Sequence, residues 1–182
     1  LECVRMVAAE HPDARVVVDM PATGHGIAWL RVAAQLRAFA RVGPLYDLAD
    51  RVCKELLAPG RSSIVVVTLP ERLVLQETLE LCHAMDRQVG VFPSRLVVNR
   101  YPVALPVEAL DDARSLAATG EVPAIDGLLA EIEARNASLT EADASLREVL
   151  HAASITPVVL PAAPVDPTTA QVAQWLIAEA AA

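Results

Sequence analysis

The chain has 182 residues, 54% of them hydrophobic, and a net charge of −8. That length suits a single domain spanning 1–182, with ample apolar material for a core. The acidic balance and an aromatic content of 3% argue against a phosphate-neutralising groove or a base-stacking platform, so no nucleic-acid partner is expected.

Residues 1–10 have helical composition and end at His11-Pro12-Asp13. Glu2, Arg5 and Glu10 interrupt this stretch, so it does not read as a signal peptide. No run of about 18 apolar residues is present to span a bilayer, and the expected location is the cytoplasm. Val16 to Val18 then form a short β-branched run, of the kind used by a parallel strand buried on both faces, and it stops at Asp19. Ligands in open α/β sheets sit outside the carboxyl ends of the strands. An aspartate there, followed by Pro21, Thr23, Gly24 and His25, suits metal or phosphate chemistry. A strand capped by an Asx turn, with His25 opening the next helix, fits the same residues. The local pattern leaves both open.

From Gly26 the apolar residues Ile27, Trp29, Leu30, Ala33, Ala34, Leu36 and Phe39 recur at helical spacing. Gly43-Pro44 breaks that helix, and another runs from about Leu45 to Leu57. Residues 63–68 predict a second buried strand. The helix after it, from about Glu71 to Val89, carries Leu73, Leu75, Leu79, Leu81, Cys82 and Met85 broadly on one side. A third strand, Arg95 to Val98, ends in Asn99-Arg100. An amide at a strand tip can serve a nucleobase, or it can satisfy its own backbone in a turn before Tyr101-Pro102. Helices are expected over 107–118 and about 126–152, then a short strand at 157–160 and a proline-punctuated loop from Pro161 to Pro167. A last helix from about Thr168 to Ala180 is expected to face Val172, Trp175, Leu176 and Ala180 inwards.

Three segments carry a family resemblance. The stretch VVVDMPATGH, residues 16–25, resembles the switch II segment of the arsenite-pump and tail-anchored-protein-targeting ATPase family. In that family a strand runs into Asp-(Thr or Ala)-Ala-Pro-Thr-Gly-His, and here proline and alanine are exchanged at positions 21 and 22. Residues 62–81 and SRLVVNRYP, residues 94–102, are similar to the family's following strands, in the same order. The resemblance implies an α/β, P-loop-NTPase-like parallel sheet with flanking helices, lacking its N-terminal P-loop strand. It also implies an anion-transporting ATPase acting as a homodimer on ATP and Mg2+, with a metalloid or membrane-protein cargo. By the same resemblance Asp19 is a metal-side carboxylate, and Thr23, Gly24 and His25 relay the γ-phosphate state. Asn99 and Arg100 lie on the adenine side, with the backbone from Leu160 and Pro161 to Ala163 lining the base pocket.

No Gly-x-x-x-x-Gly-Lys-Ser/Thr occurs among the seven glycines, and the one lysine, Lys54, falls within an expected helix. The resemblance places the phosphate loop, and the aspartate that orients the attacking water, before Leu1. It also places the P-loop strand between the strand ending at Asp19 and the strand ending at Thr68. Val16–Val18 and Val65–Val67 are therefore expected to face each other roughly 10 Å apart across a slot. The competing function is a P-loop-free paralogue or half-subunit that docks a partner without catalysis. Cys3, Cys53 and Cys82 form no Cys-x-x-Cys pair. They read as core thiols, although some family members bind arsenite through cysteine.

Overall fold

The computed structural model describes residues 1–21, 24–58, 60–120, 125–152 and 156–181. The fold is α/β, a three-stranded sheet in the order β1-β2-β3 with flanking helices. The chain forms two compact units, Leu1–Val65 with Glu80–Ser94 and Val66–Leu79 with Arg95–Ala182.

The first unit contains α1 (Glu2–Glu10), α2 (Gly24–Ala40) and α3 (Pro44–Glu55). Arg5 holds α1 by pairing at 2.7 Å with Glu2 and at 2.8 Å with Glu55 of α3. The turn between α2 and α3 uses left-handed backbone at Arg41 (φ 58°) and Gly43 (φ 93°), after which Pro44 starts α3. Asp50 of α3 bridges Arg37 of α2 at 3.3 Å and Lys54 at 2.7 Å. Ile27, Leu30 and Met85 form the buried cluster here, packed against by Met20, Trp29, Leu57, Ile64 and Leu81. Phe39, expected on the apolar side of α2, is 85% exposed. It lies at i+9 from Leu30, about half a turn around the helix from that residue, in the helix's last turn.

Residues 15–19 do not form the expected strand. Val17 is 90% exposed, and Val16 and Val18 are also exposed. A β-branched run becomes a strand only when a neighbour takes its amide and carbonyl groups. Among the described residues no strand pairs with this segment.

The sheet consists of β1 (Val65–Thr68), β2 (Arg95–Tyr101) and β3 (Pro157–Pro161). The expected continuous set at 63–68, 95–98 and 157–160 is therefore present, with β2 and β3 parallel. Leu96, Val97 and Val98 are all buried, as a central strand covered on both faces requires. β1 alternates instead. Val66 and Thr68 are buried, whereas Val65 and Val67 are exposed.

In α4 (Arg72–Val89) the buried residues are Leu75, Thr78, Cys82 and Met85, a true helical stripe. Leu73, expected on that stripe, is exposed, because two residues from Leu75 is the opposite side of a 3.6-residue turn. The Thr78 hydroxyl donates to the Val74 carbonyl at 2.7 Å and accepts from Thr68 at 2.7 Å, so both buried hydroxyls are satisfied. Helices α5 (Val107–Thr119) and α6 (Ile125–Ala152) pack on one another, burying Ala113, Ile125 and Ile132.

The last helix, α7 (Thr169–Ala181), packs on β3. Gln171 accepts from the Thr168 amide at 2.8 Å and donates its own amide to the Thr168 hydroxyl at 3.3 Å, a reciprocal capping box. Val172 and Trp175 are half-buried, but Leu176, expected inwards, is 38% exposed. It is four residues from Val172 and one from Trp175, so it sits at the edge of the stripe those two define. The side chain of Ala180 lies outside the described residues.

Candidate functional site

In the first unit the loop after residues 15–19 leads into α2. The Asp19 carboxylate is exposed and, among the described residues, forms no ion pair. A lone carboxylate suits Mg2+, which keeps most of its waters and is held through one or two carboxylates. Met20 anchors the loop by packing on the Ile27–Leu30–Met85 cluster. Gly24 opens α2 and His25, in its first turn, is exposed; Thr23 lies outside the described residues. The sequence reading missed Gly26. A Cβ built there would stand 2.9 Å from the Pro21 carbonyl oxygen, so the loop folds back onto the helix start at a distance only glycine permits. The signal was the second glycine of Gly24-His25-Gly26.

The second unit holds the other candidates. Between Val98 and Tyr101 the register slips: three steps along β2 oppose the two steps from Val159 to Pro161. This is a bulge at Asn99-Arg100. Arg100 takes φ 57°, and the Asn99 Oδ1 accepts the Arg100 amide hydrogen at 2.9 Å. One lone pair of the Asn99 carbonyl thus stabilises the bulge, and its NH2 group remains a donor. Beside it, Tyr101 pairs with Pro161, and the Ala162 amide donates to the Tyr101 carbonyl at 2.7 Å. The structure thereby brings Asn99 to the same sheet edge as Leu160, which is buried, and Pro161. Arg100 lines a pocket of about 480 Å3 whose polar wall includes Glu71, Arg72, Ser138 and Glu141. The bulge was legible only as an Asn before a turn. The pocket residues carried no sequence signal, since they come from three segments well separated along the chain.

Tyr101 donates its phenolic hydrogen to Asp143 of α6, clamping that helix to the end of β2. Burial first, and the Asp143 carboxylate second, push the Tyr101 pKa up to about 12. Because the folded value lies above the unfolded value of about 10, this contact's contribution to stability is complete below pH ~10. It is lost as the pH rises to 12. Tyr101→Phe is expected to abolish the ionisation step near pH 12 in an ultraviolet titration. Persistence of that step in the variant would contradict the assignment.

The three thiols do not share one environment: Cys3 is exposed, Cys53 intermediate and Cys82 buried, so the core-thiol expectation holds for Cys82 and fails for Cys3. Burial pushes the Cys82 thiol pKa up, which keeps it protonated and unreactive. Among the described residues no three His, Cys, Asp or Glu side chains are grouped to hold a metal, and no helix is long and apolar enough to cross a membrane.

A parallel sheet flanked by helices, with candidate ligand residues at its carboxyl edge, is the α/β architecture consistent with a P-loop-like fold that lacks its first strand. No family model matches the chain. It is similar to the protein named "ATPase BagA" of Mycobacterium tuberculosis (strain H37Rv), and to one named "Putative ATPase Mb3704" of Mycobacterium bovis, each 35% identical over 128 residues. The matched stretch covers 70% of this chain and 36% of each relative. The chain thus spans about a third of the length of the curated relatives it matches.

Proposed function

We propose that the chain is the switch II and adenine-side part of an ATP-binding and ATP-hydrolysing domain, in an ATPase of the arsenite-pump type. The observation that carries this reading is the bulge at Asn99-Arg100, which falls at the carboxyl end of β2 where Tyr101 pairs with Pro161 of β3. Two strand ends meet there beside an amide donor, as a nucleobase needs. The similarity to proteins named as ATPases supports the same reading. Asn99, Arg100 and the backbone of Leu160 and Pro161 serve the base side. Asp19 serves the metal side, and Thr23, Gly24 and His25 pass the state of the γ-phosphate to α2. The cofactors are ATP and Mg2+, the assembly a cytoplasmic homodimer, and the cargo a metalloid anion or a membrane protein.

Base contacts without a phosphate cradle hold a triphosphate weakly. Calorimetric titration of this chain with Mg-ATP is therefore expected to give weak binding or none, and low-micromolar affinity would contradict the proposed division of the site. In a chain of the relatives' full length, Asn99→Ala is expected mainly to raise the KM for ATP and to relax the preference over GTP.

The second reading, a partner-binding protein without catalysis, is favoured by the exposed apolar residues Phe39 and Val42 at the end of α2. Absence of ATP hydrolysis by a chain of the relatives' full length would select it.

A further inference from the structure

The pocket at the ends of β1 and β2 has a mixed wall. Glu71, Arg72, Arg100 and Glu141 supply two carboxylates and two guanidiniums, and Ser138 adds a hydroxyl. Leu69, Leu73 and Pro102 supply an apolar surface between them. Opposite charges that share a pocket usually neutralise one another. Here, among the described residues, none of the four forms an ion pair. Arg100 reaches this wall from left-handed backbone (φ 57°) in the β2 bulge, an arrangement that costs conformational energy and redirects a side chain.

We infer that this pocket binds a small zwitterion with an apolar body, in chemical terms an apolar α-amino acid or its dipeptide. An anion satisfies the two arginines but faces Glu71 and Glu141 with like charge. A cation fails in the opposite sense, and a neutral apolar ligand desolvates four unpaired charges. A ligand carrying both a carboxylate and an ammonium meets all four. Its carboxylate takes the planar guanidiniums of Arg72 and Arg100, with the bidentate geometry arginine favours. Its ammonium takes Glu71 and Glu141. Its side chain covers Leu69, Leu73 and Pro102. A volume of about 480 Å3 lies within the range of small-molecule sites and leaves room for two residues. This site shares Arg100 with the proposed base side but does not rest on the nucleotide reading, and no nucleotide enters its test.

The test is calorimetric titration of the chain with leucine and with leucyl-leucine, set against N-acetyl-leucine, which lacks the cation, and leucinamide, which lacks the anion. At least one free zwitterion is expected to bind, and the larger response of the two identifies amino acid or dipeptide. Each blocked form of leucine is expected to bind about tenfold more weakly or worse, the loss of one charge-assisted contact. Glu141→Gln is expected to weaken the zwitterion but not N-acetyl-leucine, whose carboxylate loses a like charge. Arg72→Gln is expected to weaken the zwitterion but not leucinamide, whose ammonium loses a like charge. Both side chains are exposed, so neither change threatens the fold. Failure of both zwitterions to bind, or N-acetyl-leucine binding as tightly as leucine, overturns the inference. So does binding that neither substitution alters.

Discussion

In a chain of its relatives' full length, Asp19→Asn is expected to lower kcat for ATP hydrolysis on the order of a hundredfold, while ATP affinity changes little. A metal-side carboxylate matters most when charge redistributes on the phosphate, so its loss appears in the transition state more than in the ground state. The substitution keeps size and polarity and removes only the charge. Since Asp19 is exposed and unpaired among the described residues, stability is expected to be unaffected, which separates chemistry from unfolding. Steady-state kinetics with a parallel melting curve decide it. A kcat within about twofold of the parent would remove Asp19 from the proposed machinery.

Leu96→Ala is expected to destabilise the chain by about 2–5 kcal/mol. Leu96 is 1% exposed in β2, the middle strand, and paired with Pro157 of β3, so truncation leaves a cavity in a close-packed interior. Val17→Thr is the matched control. At 90% exposure it buries almost nothing, and its expected effect stays within about 0.5 kcal/mol. Urea unfolding of both variants compares them directly. A Val17→Thr cost approaching that of Leu96→Ala would mean that residues 15–19 are buried after all.

These two positions mark where the sequence was readable and where it was not. Both sit in β-branched, apolar runs, and by composition the runs are equivalent. At 95–98 a partner strand at 157–161 takes up hydrogen bonds and Leu96, Val97 and Val98 are buried, so the run is a strand. At 15–19 no described strand supplies that ladder, so an equal propensity yields exposed chain without regular structure. Helices were more legible, because each closes its own hydrogen bonds. The Gly43-Pro44 break and the Thr168-to-Gln171 cap could be read locally, and the observed ends fall within about two residues of the expected ones.

The candidate site divides along the same line. By itself the sequence singled out the candidate residues: a carboxylate before Thr-Gly-His, an amide after a buried run and a proline-rich turn after the last strand, with no phosphate-loop motif among the 182 residues. Local order and residue type hold that information, and no partner is needed to express it. Only the tertiary structure decided what those residues meet. The slip of β2 against β3 falls at Asn99-Arg100, where Arg100 lines a pocket, and it sets Tyr101 opposite Pro161. The close approach of the Pro21 carbonyl required glycine at position 26. Register, bulge and close approach are relations between segments distant along the chain, settled by the packing and hydrogen bonding of the whole sheet, and no window of the sequence contains both partners.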